Sequence, residues 1–473
     1  MTLADVDATG QAELVRRGEV SPRELVDAAI ERIEAVDGRL NAITYRRYEQ
    51  ARSEADRIDR AAPFAGVPCL TKSLSDSAGD PATVASIWPA RHRRVATKDS
   101  LLVGRLRRAG FIMIGQASAP EFGVLSVSES KTHGITRNPW RPDLTPGGSS
   151  GGASAAVAAG MVPVAQGGDG GGSIRMPAAF CHLVGLKPTV GRISAGPGAA
   201  DRWGHSVPAV VTRTVRDTAA ILDAVSVTSP ADRGQPRPLP ADGLVAQLNA
   251  PHRRLRIGVM RNAPRHAPQV TAPVRKAVDE TADLLRSLGH QVADDYPEAM
   301  DDPKCLPMFF DALSVTVVQS IELLTREIGP PEPEDLDVVT RHWERRGREI
   351  TGVELADAFA WQGRFRSRMS AWWEGGFDLL LSPVFASPPK EVSWPWNEAD
   401  GIQRSVDVLS FTAPFNTTGQ PAISVPATLT DADEPIGIQL AAAMGREDLL
   451  LRVAAELEMA RPWSAERPRI FAP

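Results

Sequence analysis

Apolar residues Leu25, Ala29, Ile33 and Val36 recur at helical spacing behind Ser21-Pro22-Arg23-Glu24. That opening reads as a capping box with proline at the first helical position, so an amphipathic helix begins there. Residues 1–62 as a whole read as a helical segment packed on the remainder of the chain. The pattern then shifts to short apolar runs. Residues 64–70 predict a buried strand that delivers Lys72 at its end, and 111–114 predict another. Helical periodicity separates them over 99–109. Residues 153–161 are small throughout and predict a close-packed helix, and 183–188 predict a strand.

A proline-rich stretch at 229–251 breaks the pattern and reads as a surface connection. A strand at 255–260 and a helix at 273–288 come next as a βα pair. Residues 300–376 are mostly helical in pattern. Strands return at 377–381, 422–425 and 436–440, and a helix at 447–458 closes the chain. Alternation of this kind predicts an α/β fold, a single large α/β/α sandwich around a central mixed sheet. Strands on both sides of 229–376 are needed by one sheet. Residues 1–473 are therefore expected to form one domain, with a helical N-terminal segment (1–62), a core (63–228), an elaborated, mostly helical middle segment (229–376) and a C-terminal part of the core (377–473).

Composition narrows the function without naming it. The 473 residues are 42% hydrophobic and 23% charged, those of an ordinary globular protein. A formal charge of −5 leaves no basic footprint for nucleic acid. No apolar run reaches the roughly 18 residues that span a membrane, and the acid-bearing start is unlike a signal peptide. Cys69, Cys181 and Cys305 are odd in number and scattered, which suits a reducing cytoplasm better than a disulfide framework. The eight histidines show no metal-binding spacing, so neither metal nor other cofactor is expected. The expected partner is a small molecule, and the chain is read as a monomer or homodimer.

The chemistry concentrates in residues 145–175, TPGGSSGGASAAVAAGMVPVAQGGDGGGSIR. Two serines, Ser149 and Ser173, lie in glycine clusters that let backbone N–H groups approach a ligand closely. A serine needs a base before it can attack. His133, His182 and His205 stand in no recognisable motif, and a Ser–His triad stays open because its partners need not be close in sequence. Ser149 formally fits the G-x-S-x-G elbow, but the preceding residues are turn-like where that motif needs a strand. Ser128 and Lys131 formally fit S-x-x-K without its companion motifs. The second cluster lacks the ending of a phosphate-binding loop, and Arg175 stands where the last glycine of G-x-G-x-x-G would fall.

A resemblance breaks the tie. PGGSSGGASAAVAAG (146–160) and GGDGGGSIRMPAAFCHLVGLKPT (167–189) resemble the signature region of the amidase signature family. The likeness continues in FAGVPCLTK (64–72), HGITRNPW (133–140) and GQPAISVP with PIGIQLAA (419–426 and 435–442), in the family's order. RISAGPG (192–198) and GREDLLLRVAAELE (445–458) are most similar to the branch with 6-aminohexanoate cyclic dimer hydrolases and related amide- and carbamate-cleaving enzymes.

The resemblance implies a Ser-cisSer-Lys triad: Ser173 as nucleophile, Ser149 behind a cis peptide bond after Gly148 as proton relay, and Lys72 as base. It implies an oxyanion hole from the N–H groups of Gly170, Gly171, Gly172 and Ser173. It also implies supporting roles for Gly148, Ser150 (a helix cap), Asp169 (holding the glycine loop) and Arg175 (a structural ion pair). A neutral Lys72 needs its pKa brought from about 10.4 to near 7, about 4 kcal/mol of environmental bias. The implied activity is hydrolysis of carboxamides, linear or cyclic, with carbamates (urethanes) and esters in reach. The glutaminase subunit of a tRNA-dependent amidotransferase and a silent binding protein on the same fold are the rivals.

Two departures stand out. The family usually has Asp after the lysine, where this chain has Ser73, with Asp76 nearby to compensate. Gly168 and Gly170 replace residues that are often larger, which implies extra room beside the nucleophile. Trp343, Trp372, Trp373, Phe309 and Phe310 of the middle segment are read as packing more than pocket, with an apolar substrate entry lined by some of them as the alternative.

Overall fold

The computed structural model describes residues 2–196, 203–228, 236–250, 253–265, 267–396 and 401–473. Its strands are β1 (Ile43–Arg46), β2 (Pro68–Lys72), β3 (Ile112–Ala117), β4 (Glu129–Ser130), β5 (Gly134–Ile135), β6 (Val164–Asp169), β7 (Val184–Lys187), β8 (Val207–Thr212), β9 (Arg256–Val259), β10 (Gln291–Ala293), β11 (Leu379–Pro383), β12 (Ala422–Leu429) and β13 (Pro435–Ala442). Eleven of them form one sheet in the order β1-β3-β2-β6-β8-β7-β12-β13-β11-β9-β10, and β4 and β5 pair as a small ribbon. The sheet is mixed. β3, β2 and β6 run parallel near one end and β11, β9 and β10 near the other, with antiparallel strands between. The pairing of β7 with β12 joins chain from before and after the middle segment in this sheet.

Helices cover the sheet in two packed groups. Gly151–Ala158 and Arg175–Phe180 meet each other and lie on β2, β6, β7, β12 and β13. Val215–Val225 and Glu447–Ala460 meet each other and lie on β7, β8, β12 and β13. The capping box at Ser21 forms as its spacing predicts and starts the helix Pro22–Leu40. The short apolar runs become fully buried strands, as β2 and β3 show.

The pattern missed four strands of the sheet. Residues 43–46 interrupt the helical N-terminal segment because Ile43 and its neighbours pair with β3. β6, with glycine at 167 and 168, carries a single branched residue and reads as no strand in isolation, while Pro208 breaks the branched run of β8, yet the two pair along their length. β10 is three residues long and pairs with β9. Tertiary pairing overrode local propensity at β6.

A second apolar cluster sits apart from the main core. It joins Val124, Leu125 and Met176 of the glycine-loop region to Phe309, Phe310 and Trp343 of the middle segment. The helix Cys305–Ile328 supplies much of it. By length and composition that helix could cross a membrane, the single such helix among the described residues, which qualifies the sequence expectation. Here Phe309, Phe310, Val317 and Ile321 are buried in the cluster instead.

The helix Val338–Glu349 packs on Cys305–Ile328 at a glycine. A Cβ added at Gly347 would lie 2.3 Å from the carbonyl oxygen of Ser314, a distance no side chain tolerates. Gly347→Leu should therefore push the two helices apart and cost about 1–3 kcal/mol of stability, read by denaturant unfolding. Gly363→Ala, on an exposed helix position with no atom within 4 Å of the new carbon, should instead gain up to about 1 kcal/mol.

Candidate active site

β2 ends on Lys72 and the parallel β6 ends on Asp169, so the loop 170–173 emerges beside the lysine. Gln166 of β6 accepts from the backbone N–H of Lys72 at 2.8 Å and fixes the strand end. The Lys72 side-chain nitrogen, Nζ, lies 2.8 Å from Ser149 Oγ, 2.9 Å from Ser150 Oγ and 3.4 Å from the carbonyl oxygen of Gly168. The side chain is buried, and burial pushes its pKa down to about 7 against the opposing charge of Asp169.

The first glycine cluster sets Ser149 over that nitrogen. The Gly148–Ser149 peptide bond is cis, as the resemblance implies. A Cβ at Gly148 would lie 2.6 Å from the backbone of Val127, so this position accepts no side chain. Ser128 Oγ donates to the carbonyl oxygen of Gly147 and accepts from Gly151 N–H, clamping the turn. Lys131 donates to the carbonyl oxygens of Glu334 and Leu336, which disposes of the S-x-x-K reading. Ser150 is the N-terminal cap residue of helix Gly151–Ala158, and its N–H donates to the carbonyl oxygen of Ser173. Its hydroxyl makes no capping bond and faces Lys72 instead.

The second cluster is organised by Asp169. Its carboxylate accepts from the N–H groups of Gly172 (2.8 Å), Ile174 and Arg175 and from Asn416 Nδ2 (2.9 Å). It pairs bidentately with Arg175, Nε to Oδ2 and Nη2 to Oδ1, both at 2.9 Å. Both side chains are fully buried. Burial alone would raise the Asp169 pKa, but Arg175, Asn416 and Lys187 outweigh it and hold the carboxyl below the usual carboxylate range. Arg175 reaches on to Gln439 Oε1 (2.7 Å) and the carbonyl oxygen of Thr412.

One sequence expectation is corrected here. The Gly172 N–H donates to Asp169, so it is not a free oxyanion donor. Among the described hydrogen bonds none takes the N–H groups of Gly170, Gly171 or Ser173. Gly172 has φ +134°, and a Cβ there would lie 2.4 Å from Thr412 Oγ1, so the loop is closed by contact as well as by charge.

Asp76 does not compensate for Ser73. Its carboxylate faces Arg94 at 3.9 Å, and the charge felt by Lys72 is that of Asp169. Ser73 Oγ is buried without a partner among the described residues.

Lys72, Ser149, Ser173, Gly170 and Gly171 all line one cavity of about 820 Å³. Phe309, Phe310 and Trp343 line it too while packing in the second apolar cluster, so both readings of these aromatics hold. Phe309 stacks on His205 (5.2 Å between centroids), and Phe310 stacks on Trp343 (4.8 Å). The described residues include no cluster of metal-ligating side chains. Of the three candidate histidines, His205 alone lines the cavity, with its ring Nε2 3.0 Å from Gln362 Nε2.

Comparison with known proteins decides the family. The Amidase family model matches residues 24–451. The chain belongs to the amidase signature family. It is an amidase, an amidohydrolase acting on amides. A 6-aminohexanoate-cyclic-dimer hydrolase of Pseudomonas sp. (strain NK87) is 40% identical across 99% of this chain and 97% of its own length. A solved 6-aminohexanoate cyclic dimer hydrolase in complex with substrate superimposes with a TM-score of 0.94, at 38% identity and 99% coverage of each chain. A bacterial aryl acylamidase of the amidase signature family superimposes with a TM-score of 0.87, at 28% identity and 97% coverage of each.

Sequence reasoning missed Gln166, Asn416 and Gln439, which hold Lys72, Asp169 and Arg175 in this amidase. Each is a lone amide side chain in a buried element, and that pattern was the available signal. The room inferred at Gly168 and Gly170 is present. An added Cβ would meet only Val207 O at 4.0 Å or Ser206 at 3.8 Å, both ordinary contacts. Gly170→Ile should keep small amides turning over while lowering kcat/KM for bulky ones by at least about tenfold, measured on a graded amide series. Equal losses across the series would contradict this.

Proposed function

We propose that this amidase works through a serine acyl-enzyme, with Ser173 as nucleophile, Ser149 as proton relay and Lys72 as base. Carbamates and esters fall within reach of the same acyl transfer. The observation that carries the reading is the surroundings of the Lys72 nitrogen. A neutral amine has two N–H donors and one lone pair. Gly168 O can only accept and Ser150 Oγ can accept, which leaves the lone pair for the Ser149 hydroxyl proton.

The chemistry runs in two stages. Ser173 Oγ bonds to the substrate carbonyl carbon. Its proton passes to Ser149 as the Ser149 proton passes to Lys72. The N–H groups of Gly170, Gly171 and Ser173 receive the oxyanion, where one donor is worth about 100- to 1000-fold in rate. The C–N bond breaks as the relay returns a proton to the departing amine. Water clears the acyl-enzyme by the same relay. The likeness to a cyclic dimer hydrolase solved with substrate supports a small amide as the natural reactant. Three free, buried cysteines fit a reducing cytoplasm.

A fluorophosphonate should label the wild-type chain covalently and leave Ser173→Ala unmodified by intact-mass measurement. Labelling that persists in Ser173→Ala would assign the nucleophile elsewhere, and a wild type that resists labelling would favour a silent binding protein. Turnover of anilides by the purified single chain would separate this enzyme from a subunit that acts only in a complex.

A protonated Lys72 cannot accept a proton, so activity is absent well below its pKa. With burial holding that pKa about 7, kcat/KM for amides should climb with pH through that region and level off above it. Lys72→Ala should erase the step and depress amides, carbamates and esters alike, with esters hurt least because their leaving group needs least protonation. A profile flat across pH 5–9 in the wild type would refute Lys72 as base.

A further inference from the structure

A carboxyl outside the reacting groups joins the two walls of the cavity. Glu121 opens the turn Glu121–Gly123 and is 3% exposed. Its Oε1 accepts from Ser86 Oγ at 2.6 Å, and its Oε2 accepts from the backbone N–H of Asp337 at 2.7 Å. Asp337 is the cap residue at the start of the helix Val338–Glu349 in the middle segment. One side chain thus ties together stretches of chain 35 and 216 residues away from it. Burial and the neighbouring Asp337 push its pKa up to about 7, so the position is held at a cost to the charged form.

Two short paths lead from Glu121 to the serine-bearing loops. Along the first, the turn runs on to Gly123, where an added Cβ would lie 3.4 Å from Ser149 Oγ. Phe122, between them, has φ +51° and donates its N–H to Val84 O at 3.0 Å. Val84 and Ala85, directly before Ser86, have φ +46° and +56°. Residues other than glycine seldom enter that region, and a β-branched one least of all, so three of them around one carboxyl mark an enforced arrangement. Along the second path, Trp343 of the helix Val338–Glu349 stacks on Phe310 at 4.8 Å, and Phe310 meets Phe309 edge-on at 5.3 Å. Phe309 Cζ would stand 2.9 Å from a Cβ on Gly171. Val84, Phe122, Phe310 and Trp343 all line the cavity between the two paths.

We propose that Glu121 is a positioning residue that sets the spacing between the Ser149 turn and the aromatic wall of the middle segment, and through that spacing the size of amide the site accepts. This rests on the reading that Ser173 and Ser149 react. Neither wall can shift without breaking a short bond to this carboxyl. Its charge is not what the role needs. A glutamine oxygen can accept from the Asp337 N–H while the glutamine NH2 donates to Ser86, whose hydroxyl accepts as well as it donates. Alanine breaks both bonds, and aspartate is one methylene too short to span them.

The test measures kcat and KM on amides graded from small to bulky on the acyl and on the amine side. Glu121→Ala should raise KM and lower kcat/KM for the bulky members by at least about tenfold, with the smallest held within about threefold, as misplacement of a cavity wall requires. Glu121→Gln should stay within about threefold of wild type across the series, because it keeps both bonds. A loss in Glu121→Ala that is equal for every amide would assign Glu121 to folding alone and overturn the proposal. So would an undiminished Glu121→Ala, or a Glu121→Gln as impaired as alanine. Should Glu121→Ala not fold, Glu121→Asp must show the same ordering by size. Fluorophosphonate labelling of Ser173 in each variant separates the two readings. Full labelling without a size-dependent loss sinks the role of Glu121, and a wild type never labelled at Ser173 sinks the nucleophile on which it rests.

Discussion

The buried pair of Asp169 and Arg175 is the interaction on which the site depends. Asp169 gathers three backbone N–H groups at and after the glycine loop, and Arg175 carries the link onward to Thr412, Asn416 and Gln439 in the C-terminal part of the chain. A buried ion pair of this kind is weak evidence for stability, because desolvation offsets most of the attraction. Its contribution here is shape. With the two groups engaged by protein on every side, the loop has one arrangement, and the N–H groups of Gly170, Gly171 and Ser173 are left without protein acceptors among the described hydrogen bonds. The same carboxylate sets the electrostatics of Lys72, since it is the one charge that works against the lysine's desolvation.

A second constraint is the division of labour between the two halves of the cavity. The sheet side carries Lys72, Ser149 and the glycine loop on strand ends and tight turns, where backbone contacts at Gly148 and Gly172 leave no freedom. The opposite wall comes from the middle segment, which reaches the glycine loop through Phe309, the rest of the core through the second apolar cluster, and both Thr417 O and Lys131 Nζ through hydrogen bonds of Gln362 and Glu334 O. The two walls of the cavity therefore come from separate pieces of chain, joined by aromatic packing and by hydrogen bonds.

This division explains what was legible in the sequence. The glycine clusters, Lys72 and its strand β2 are short local patterns, and each maps onto the place its residues suggest. Asp169 and Arg175 were legible as supports through the family resemblance rather than through their own glycine-rich surroundings. The commitment of Gly172 N–H to Asp169 was not readable, since a run of three glycines gives no sign of which donor turns inward. Strand β6 stayed hidden for a related reason, since its small, glycine-bearing sequence is a strand only because neighbours pair with it, and Pro208 masked the branched run of β8. The cavity-lining part of Phe309, Phe310 and Trp343 stayed open because an aromatic residue at helical spacing looks the same whether it faces a core or a cavity. Only the position of the helix over the loop distinguishes the two.

The reach of Arg175 to Gln439 spans 264 residues. On a ribosome adding roughly 5–20 residues each second, the glycine loop and Arg175 leave the tunnel tens of seconds before the strand that anchors the guanidinium. Throughout that interval the nascent chain carries its serines and lysine without the scaffold that orients them. The arrangement is completed late in synthesis, once the β12–β13 hairpin joins the middle of the sheet, so a prematurely terminated chain lacking that hairpin would hold Lys72, Ser149 and Ser173 but not the scaffold around them.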